Sequence, residues 1–435
     1  MDILAKFGGS SLSSSQQFKK VKDIILSDSN RQIIVVSAPG KDELNQAKMT
    51  DMLLLLYAHI EYNIDYSTLV NSIKKRFLEI IESLEIKSRF ELEFHKLIKE
   101  LRIGISKDYL VSRGEYFNAI ILSEYLGFEF LDAKKILYLN HNGSIDYDKS
   151  EKMINKFIDT SKKYVIPGFY ANTPNQQIRT FPRGGSDLTG SIICRILNLK
   201  LYENWTDVSG LFVADPRIVE NPERIENITY DELRELSYRG ASVIQQESII
   251  PIQGTSTSLI IKNTNSPFDN GTFISNEINK IGNIITGLAG QVGFTSITIL
   301  KDSSKNFSKV LKDVLNIFIK YNITIEHIPT GIDNFSIITK TDTYKKVYFD
   351  IIDELTSLDG ILDVKFEDDI SLVAIVGRNM SSIPGVSGKI FSILGDNNIN
   401  IRVIAQASKE ISIIIGVNSI DYNKTLRLLY NRFYL

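Results

Sequence analysis

The sequence predicts an α/β protein in which an amino-terminal domain with a mainly parallel sheet precedes two smaller α+β domains. Three observations lead to this prediction. Apolar strand-like runs alternate with amphipathic helical segments, a long stretch of helical periodicity interrupts them, and the last third of the chain contains an internal repeat.

The chain begins with a β-α-β unit. The apolar runs DILAKFGG and RQIIVVSAPG both end in glycine, and the segment between them has apolar side chains at helical spacing: Phe18, Val21, Ile24 and Ile25. Continuous apolar strands of this kind are typical of a parallel sheet that helices cover on both faces.

Helical periodicity dominates from about Met52 to Leu101, which we interpret as helices that face the core. Strand-like segments then return as GFEFLDAKKIL, KKYVIPGFYAN, LKLYENWTDVSG and TSLIIKNTN. The carboxyl ends of such strands are where α/β proteins usually bind ligands.

The repeat begins near Phe294 and continues to the end of the chain. The series FTSITILKD, YNITIEHI and FSIIT recurs as ISLVAIVGR, NNINIRVI and ISIII, with an offset of 76 residues (371 − 295 for Ser371 and Thr295). Each copy is predicted to form a strand, a helix and two strands. A duplicated small module of this kind suggests regulation, and the alternative is a plain oligomerisation module.

Composition excludes several classes of function. The chain has 435 residues, and 50 Lys and Arg against 52 Asp and Glu give a net charge of −2, which argues against nucleic-acid and acidic-membrane partners. Cys194 is the single cysteine, so no internal disulfide is possible and a reducing compartment fits. No signal peptide or membrane span is apparent, and the four histidines lack metal-ligand spacing, so we expect a cytoplasmic protein without a zinc site.

Two glycine pairs follow strand-like runs and carry charged neighbours. In AKFGGSSLSS, Lys6 precedes Gly8 and Gly9, and a helix that starts directly after the glycines would point its positive end at an anion. In RTFPRGGSDLTG, Arg183 precedes the pair, and Ser186 and Asp187 are predicted to cap an apolar helix.

Two further segments add polar side chains to this set. LVSRGEYFNAIIL places Glu115 in the first turn of a helix, where it could favour the helix dipole or hold an ammonium group. NWTDVSGLFVADPRIV ends a strand in Thr206 and Asp207 and continues into a turn-rich loop.

Taken in order, KFGGSSL, VVSAPG, RGGSDLTG, WTDVSGLFVADPRIV, ELSYRGASVI and IKNT resemble the aspartate kinases of the amino-acid kinase family. The repeat is similar to their tandem ACT domains, including GVSGKIFSIL followed by INIRVIAQ. The resemblance implies an amino-acid kinase fold, a three-layer αβα sandwich, at 1–288. It also implies two ferredoxin-like ACT domains at 293–368 and 369–435, the final strand of the second being free to return to the first.

Carried over by position, the resemblance implies a role for each site residue. Four would lie on the ATP phosphates: Lys6, Gly8, Gly9 and Ser10. Aspartate would be held by Thr50, Glu115, Arg183 and Ser186, with Arg183 on the α-carboxylate and Glu115 near the ammonium group. The nucleotide pocket would be lined by Thr206, Asp207, Phe212 and Arg217. The catalytic residues would be Lys6 and Asp187, with Mg²⁺ on the phosphates and no separate protein metal site.

The implied reaction agrees with these residue types. A side-chain carboxylate has a pKa of about 3.9 and is already an anion at neutral pH, so no catalytic histidine is needed to activate it. Cations and N–H groups must instead offset the repulsion between this anion and the phosphates. Two alternatives stay open at this point: another kinase of the family, acting on glutamate or carbamate, or a non-catalytic amino-acid sensor.

The effector is predicted less directly. The first copy, KDSSKNFSKVL, lacks the glycine that SSIPGVSGKIF has at the turn where ACT domains bind amino acids. Lysine is the first expectation, because Asp302 and Asp333 lie near the loops of the first copy; threonine, alone or with lysine, is the alternative. ACT pairing implies a homodimer or a dimer of dimers.

Overall fold

A computed structural model describes residues 2–43, 45–182, 184–240, 244–278, 283–406 and 411–435. The chain divides into two compact units. The first comprises Met1–Leu211, Glu226–Tyr230 and Val243–Ile278, and the second comprises Phe212–Ile225, Asp231–Ser242 and Asn279–Leu435.

Residues up to 278 form ten strands and eleven α-helices in the described part of the chain. The strands are β1 Ile3–Phe7, β2 Arg31–Val36, β3 Glu129–Phe130, β4 Tyr164–Pro167, β5 Tyr170–Asn172, β6 Ile178–Thr180, β7 Leu201–Thr206, β8 Asn227–Thr229, β9 Ser258–Asn263 and β10 Thr272–Ser275. The helices are α1 Ser15–Leu26, α2 Met49–Glu61, α3 Ser67–Ser83, α4 Phe90–Glu100, α5 Lys107–Val111, α6 Arg113–Leu126, α7 Ala133–Ile136, α8 Tyr147–Phe157, α9 Gly185–Leu197, α10 Tyr230–Tyr238 and α11 Gln246–Ile249.

An eight-stranded sheet organises the first unit. Its order is β3-β4-β2-β1-β7-β9-β10-β8, and only the β9-β10 pair is antiparallel. Ala5 and Phe7 belong to a core formed with α1, α2, α3, α4 and α6, whereas α9 packs against β1, β2 and β7. The strand β1 is central and helices cover both faces, which confirms the predicted three-layer arrangement.

The chain from 287 onward forms a second sheet, which is antiparallel. Its strands are β11 Gly287–Lys301, β12 Ile325–His327, β13 Asn334–Lys340, β14 Ile361–Val376, β15 Ile401–Gln406 and β16 Ser412–Asn418, in the order β12-β13-β11-β14-β16-β15. The helices of this region are α12 Phe307–Lys320, α13 Thr341–Tyr344, α14 Tyr348–Ser357, α15 Val386–Asp396 and α16 Tyr422–Tyr434.

The repeat predicted from the sequence is confirmed. Each copy runs strand, helix, strand, strand, and Asn322 and Asn398 both adopt a left-handed conformation after their helices, with φ of 53° and 57°. The long strands β11 and β14 each take part in both halves of the sheet, since residues 287–291 of β11 pair with 372–376 of β14. The boundaries between the domains therefore stay predictions.

One predicted strand is wrong over most of its length. The segment GFEFLDAKKIL forms only the two-residue β3 and then the short helix α7. The carboxylate of Asp132 accepts a hydrogen bond from the backbone N–H of Lys134, and this N-cap converts an apolar run into a helix start. Among the described residues, no helix has the length and apolar character needed to cross a membrane.

Candidate active site

A cavity of about 800 Å³ lies in the first unit at the carboxyl ends of its parallel strands. Lys6 is near the end of β1, Ser37–Gly40 follow β2, and Asp207 follows β7. The helices α2, α6 and α9 all contribute residues of their first turns: Thr50, Glu115 and Ser186. Helix amino termini and strand carboxyl ends thus meet at one place, which is where such a sheet binds anionic ligands.

Lys6 and Asp187 form a close ion pair in this cavity. The Lys6 ammonium lies 2.5 Å from Oδ1 of Asp187, and both side chains are largely buried. The same oxygen accepts a hydrogen bond of 3.0 Å from the side-chain amide of Asn204 on β7. Lys6, Asp187 and Asn204 thus form a network from three elements that places a cation in the cavity.

Glu115 is a buried carboxyl group in the same cavity. Only 4% of the residue is exposed, and its Oε2 has no hydrogen-bond partner among the described residues. Burial raises the pKa of Glu115 to about 8, an effect that the backbone N–H of Ala38 opposes in part. A cationic ligand group placed against Oε2 would supply the missing partner and return the carboxyl group to its ionised form.

Gly9 is required by the close approach of two loops. A Cβ on Gly9 would lie 2.8 Å from the carbonyl oxygen of Ala38, and the Gly9 carbonyl accepts a hydrogen bond of 2.8 Å from the N–H of Gly40. Ser10 begins a 3-10 turn that ends at Leu12. The N–H of Gly8 is bonded to the Trp205 carbonyl, so this turn is anchored on β7 as well.

The prediction of a helix directly after Gly8 and Gly9 is wrong. The helix α1 begins at Ser15, and the Ser14 side chain caps it by accepting from the Gln17 N–H. Because serine is a strong N-cap, the helix starts directly after Ser14 and not at the glycines.

The second glycine pair starts a helix as predicted, but its capping differs. Gly184 is the N-cap of α9 with a φ of 78°, a left-handed conformation that glycine adopts without steric cost, and no side chain caps the helix. Ser186 and Asp187 are therefore not caps. The Asp187 carboxylate is held by Lys6 and Asn204 instead, and Ser186 is largely buried where it lines the cavity.

Thr50 lies in the first turn of α2, and the loop before it is held by a buried arginine. Arg76 of α3 donates to the carbonyl oxygens of Gly40 and Ala47. Burial lowers the pKa of this guanidinium, and Asp42 raises it in part. The helical segment predicted from periodicity thus also positions a loop of the cavity.

Phe169 is strained beside the cavity. It follows β4 and has a φ of 80°, which bulky residues rarely adopt. Its N–H donates to Oγ1 of Thr189 at 3.0 Å, and its carbonyl accepts from the N–H of Phe181 at 2.7 Å. Phe169 and Phe181 both line the cavity, so these bonds fix an apolar wall.

Most of the predicted site residues come together. The cavity is lined by Lys6, Gly9, Ser10, Thr50, Glu115, Ser186, Asp187 and Asp207, while Gly8 and Thr206 are next to lining residues in sequence. Arg183 lies outside the described residues. Phe212 and Arg217 belong to the second unit, where the Arg217 side chain is 86% exposed and bonded to Asp215 at 2.6 Å. The assigned roles of all these residues stay predictions.

Sequence reasoning missed several residues of the site. Lys41, Lys48 and Phe169 line the cavity, Asn204 bonds Asp187, and Arg76 holds a loop. The motif VVSAPG pointed to the loop after β2 because it ends a strand in glycine. Asn204 begins the segment NWTDVSGLFVADPRIV but was given no role, and Arg76 lies in none of the motifs. The contacts of both residues depend on strand order and helix packing.

Metal ligands are sparse in this region. In the part of the chain that the structure describes, no group of three or more His, Cys, Asp or Glu side chains could hold a metal ion. Asp187 and Asp207 both line the cavity. One or two carboxylates are the usual protein contribution to a Mg²⁺ ion that is bound mainly by phosphates and water, so these residues fit that kind of binding.

Comparison with protein families matches residues 1–263 to the amino acid kinase family and residues 373–433 to an ACT domain. Among curated proteins, aspartokinase 3 of Bacillus subtilis is 30% identical over an alignment of 450 residues. This alignment covers 99% of this chain and 98% of the relative.

Solved structures give the same result. Aspartate kinase of Clostridium acetobutylicum matches with a TM-score of 0.92 and 42% identity, covering 100% of both chains. E. coli aspartokinase III, solved with aspartate and ADP and also with lysine and aspartate, matches with a TM-score of 0.79 and 22% identity, again over 100% of both chains. The latter likeness supports the fold alone.

Proposed function

The chain belongs to the amino acid kinase family, and to the aspartokinases within it, and from this premise we propose the reaction that it catalyses. It transfers the γ-phosphoryl group of ATP to the β-carboxylate of L-aspartate and forms 4-phospho-L-aspartate and ADP. This reaction is the first step in the synthesis of lysine, threonine and methionine.

One observation carries the proposal. The same cavity contains a buried cation in the Lys6–Asp187 pair and a buried carboxyl group, Glu115, whose Oε2 has no partner among the described residues. A phosphate needs the first, and the ammonium group of an amino acid needs the second. A site for either ligand alone would not require both.

The nucleotide is bound by the glycine turn after β1. Lys6 donates to the phosphates, the turn from Gly8 through Ser10 leaves room for them, and Thr206 and Asp207 lie beside the nucleotide. The resemblance also assigns Phe212 and Arg217 a role in nucleotide binding. Mg²⁺ would be held by the phosphates with help from Asp187 and Asp207, and it would neutralise phosphate charge.

Aspartate is bound by the first turns of three helices. Glu115 accepts from its ammonium group, while Thr50 and Ser186 donate to its carboxylates. Arg183, assigned from the resemblance, pairs with the α-carboxylate through a guanidinium fork. The β-carboxylate is left to attack phosphorus, and being ionised it needs no general base.

Trapping with hydroxylamine tests this reaction. With Mg-ATP and L-aspartate we expect formation of the hydroxamate, and with glutamate or carbamate in place of aspartate we expect none. Hydroxamate formation with glutamate would favour another kinase of the family. Its absence with every substrate, alongside measurable lysine binding, would favour the sensor alternative.

The ACT region is proposed to bind an end-product amino acid that inhibits the kinase. E. coli aspartokinase III was solved with lysine and aspartate, and lysine is accordingly the first effector to test. The acidic residues that suggested lysine have partners within the chain, however. Asp302 accepts from the N–H of Ser304, and Asp333 lies 3.7 Å from the buried Lys301 ammonium. These two carboxylates therefore lend the lysine proposal little support.

Inhibition and oligomeric state are measured together. Adding lysine, threonine or both to the hydroxylamine assay identifies the effector by the fall in rate. Light scattering with and without that effector measures the mass in solution, for which we propose a homodimer or a dimer of dimers. A monomer under both conditions would contradict pairing through the ACT domains.

A further inference from the structure

We propose that Asn204 is a positioning residue for the phosphoryl-transfer site, which it serves by holding the Asp187 carboxylate in place. This inference rests on the proposed function, because it concerns the same cavity. Asn204 begins the segment NWTDVSGLFVADPRIV, but no role was predicted for it, and it is not among the residues that line the cavity.

Strand register brings Asn204 to Asp187. Lys6 of β1 and Asn204 of β7 are direct partners in the parallel pairing of these strands, so their side chains project from the same face of the sheet. The helix α9 covers this face and presents Asp187 to both. Tyr202, two residues earlier on β7, also reaches α9 and donates to the Asp187 backbone carbonyl at 3.2 Å.

A buried polar side chain on this face calls for an explanation. Asn204 is only 3% exposed, and its neighbours on the same face include the fully buried Leu4 and Tyr202. A buried amide is costly unless it is hydrogen-bonded, and its donor is directed at Asp187. An apolar residue would pack against α9 equally well. The amide at this position therefore indicates that the Asp187 carboxylate needs a hydrogen-bond donor from β7.

The need for a donor from β7 follows from the way in which Lys6 and Asn204 share one oxygen of Asp187. Lys6 and Asn204 both donate to Oδ1 of Asp187, at 2.5 and 3.0 Å. The lysine ammonium is on a flexible chain and must also donate to the phosphates, whereas the asparagine amide is fixed on a central strand. When Lys6 turns toward the phosphates, Asn204 still holds Asp187 in its orientation, and Asp187 in turn limits the positions that Lys6 can take.

The test compares Asn204→Leu with Tyr202→Phe in the full-length protein. The leucine has a similar volume but donates nothing to the carboxylate. Tyr202→Phe, on the same strand, also removes a hydrogen bond to Asp187. That bond, however, is to the Asp187 backbone carbonyl and not to its carboxylate. For Asn204→Leu we expect kcat to fall about 10- to 100-fold, with KM for ATP and for aspartate changed by less than about threefold. For Tyr202→Phe we expect kcat to stay within about twofold.

The outcomes separate the inference from the proposed function. If wild type forms no acyl phosphate from aspartate, the proposed function fails whatever the variants do. If wild type is active and Asn204→Leu keeps its kcat, the positioning role is refuted. A purely structural role would instead lower kcat equally in both variants, or lower the melting temperature of Asn204→Leu with unchanged kcat. Should Asn204→Leu not fold, Asn204→Ala, which removes the donor and cannot overpack the site, must show a kcat loss without a KM change.

Discussion

Replacing Glu115 by Gln is expected to weaken aspartate binding and to abolish a proton release that accompanies binding in wild type. The carboxyl group is buried and its pKa is raised to about 8, so at pH 7 about 90% of it is protonated in the ligand-free protein. An ammonium group bound against it favours the ionised form. Each aspartate that binds at pH 7 should therefore release close to one proton, about 0.9, from Glu115.

The same raised pKa has a consequence for stability. Between the ordinary value of 4.5 and about 8, the folded state binds more protons than the unfolded state, so the free energy of unfolding falls as pH rises. At about 1.4 kcal/mol for each pH unit, the loss by pH 8 amounts to at most about 5 kcal/mol. Glu115→Gln removes this pH dependence, because the amide stays neutral, and the variant should be the more stable protein at pH 8.

Calorimetry in two buffers of different ionisation enthalpy measures the proton release. For wild type, the apparent binding enthalpy of aspartate should differ between the buffers by nearly the full difference in their ionisation enthalpies. For Glu115→Gln the two enthalpies should agree, and loss of the charge-assisted bond should cost about 1.5 to 3 kcal/mol in binding free energy. Asp51→Asn is the matched control, since Asp51 is an exposed carboxylate on the same cavity.

Two results would refute this reasoning. One is a wild-type binding enthalpy that does not depend on the buffer, which would mean that Glu115 does not change its protonation on binding. The other is wild-type affinity for aspartate in Glu115→Gln, which would place the ammonium group elsewhere.

Three further substitutions test other parts of the site. Lys6→Ala should lower kcat by about 10²- to 10³-fold, because the cation that offsets phosphate charge is lost. Hydroxamate formation measures this rate. An unchanged kcat would mean that the phosphates do not bind at the end of β1. Gly9→Ala should raise KM for ATP at least about tenfold, since its Cβ would lie 2.8 Å from the Ala38 carbonyl oxygen. Gly388→Ala is the control: a Cβ there would meet nothing within 4 Å, so KM should stay unchanged. Arg76→Met should lower the free energy of unfolding in urea by about 1 to 3 kcal/mol, because two loop carbonyls lose a buried donor, and an unchanged midpoint would contradict this clamp.

Much of the fold could be predicted because the spacing of apolar residues along a short segment indicates which of its side chains are buried. The apolar runs of β1 and β2 and the helical stripe of α3 each show a periodicity that depends only on neighbouring residues. The same apolar spacing led to a wrong prediction where a single polar side chain starts a helix. Asp132 caps α7 inside an apolar run that was predicted to be a strand. Ser14 displaced the start of α1 in the same way.

The candidate site was predicted from motifs, and its interactions were not. Lys6, Asp187 and Glu115 were recognised by residue type and position. That the ammonium of Lys6 pairs with Asp187 depends on α9 lying over β1, and the raised pKa of Glu115 depends on burial in the first turn of α6. Both the ion pair and the raised pKa depend on contacts between segments that are far apart in the sequence.

The sequence by itself therefore determined most of the helices and strands, the duplication of the last third, and which glycine turns carry charged residues. Each of these depends on spacing along the chain, through periodicity, turn chemistry or repetition. Only the tertiary structure decided that β1 lies beside β7 and that Lys6 is thereby opposite Asn204. Strand order is set by the packing of whole layers, so the second donor to Asp187 has no signature in the residues around it.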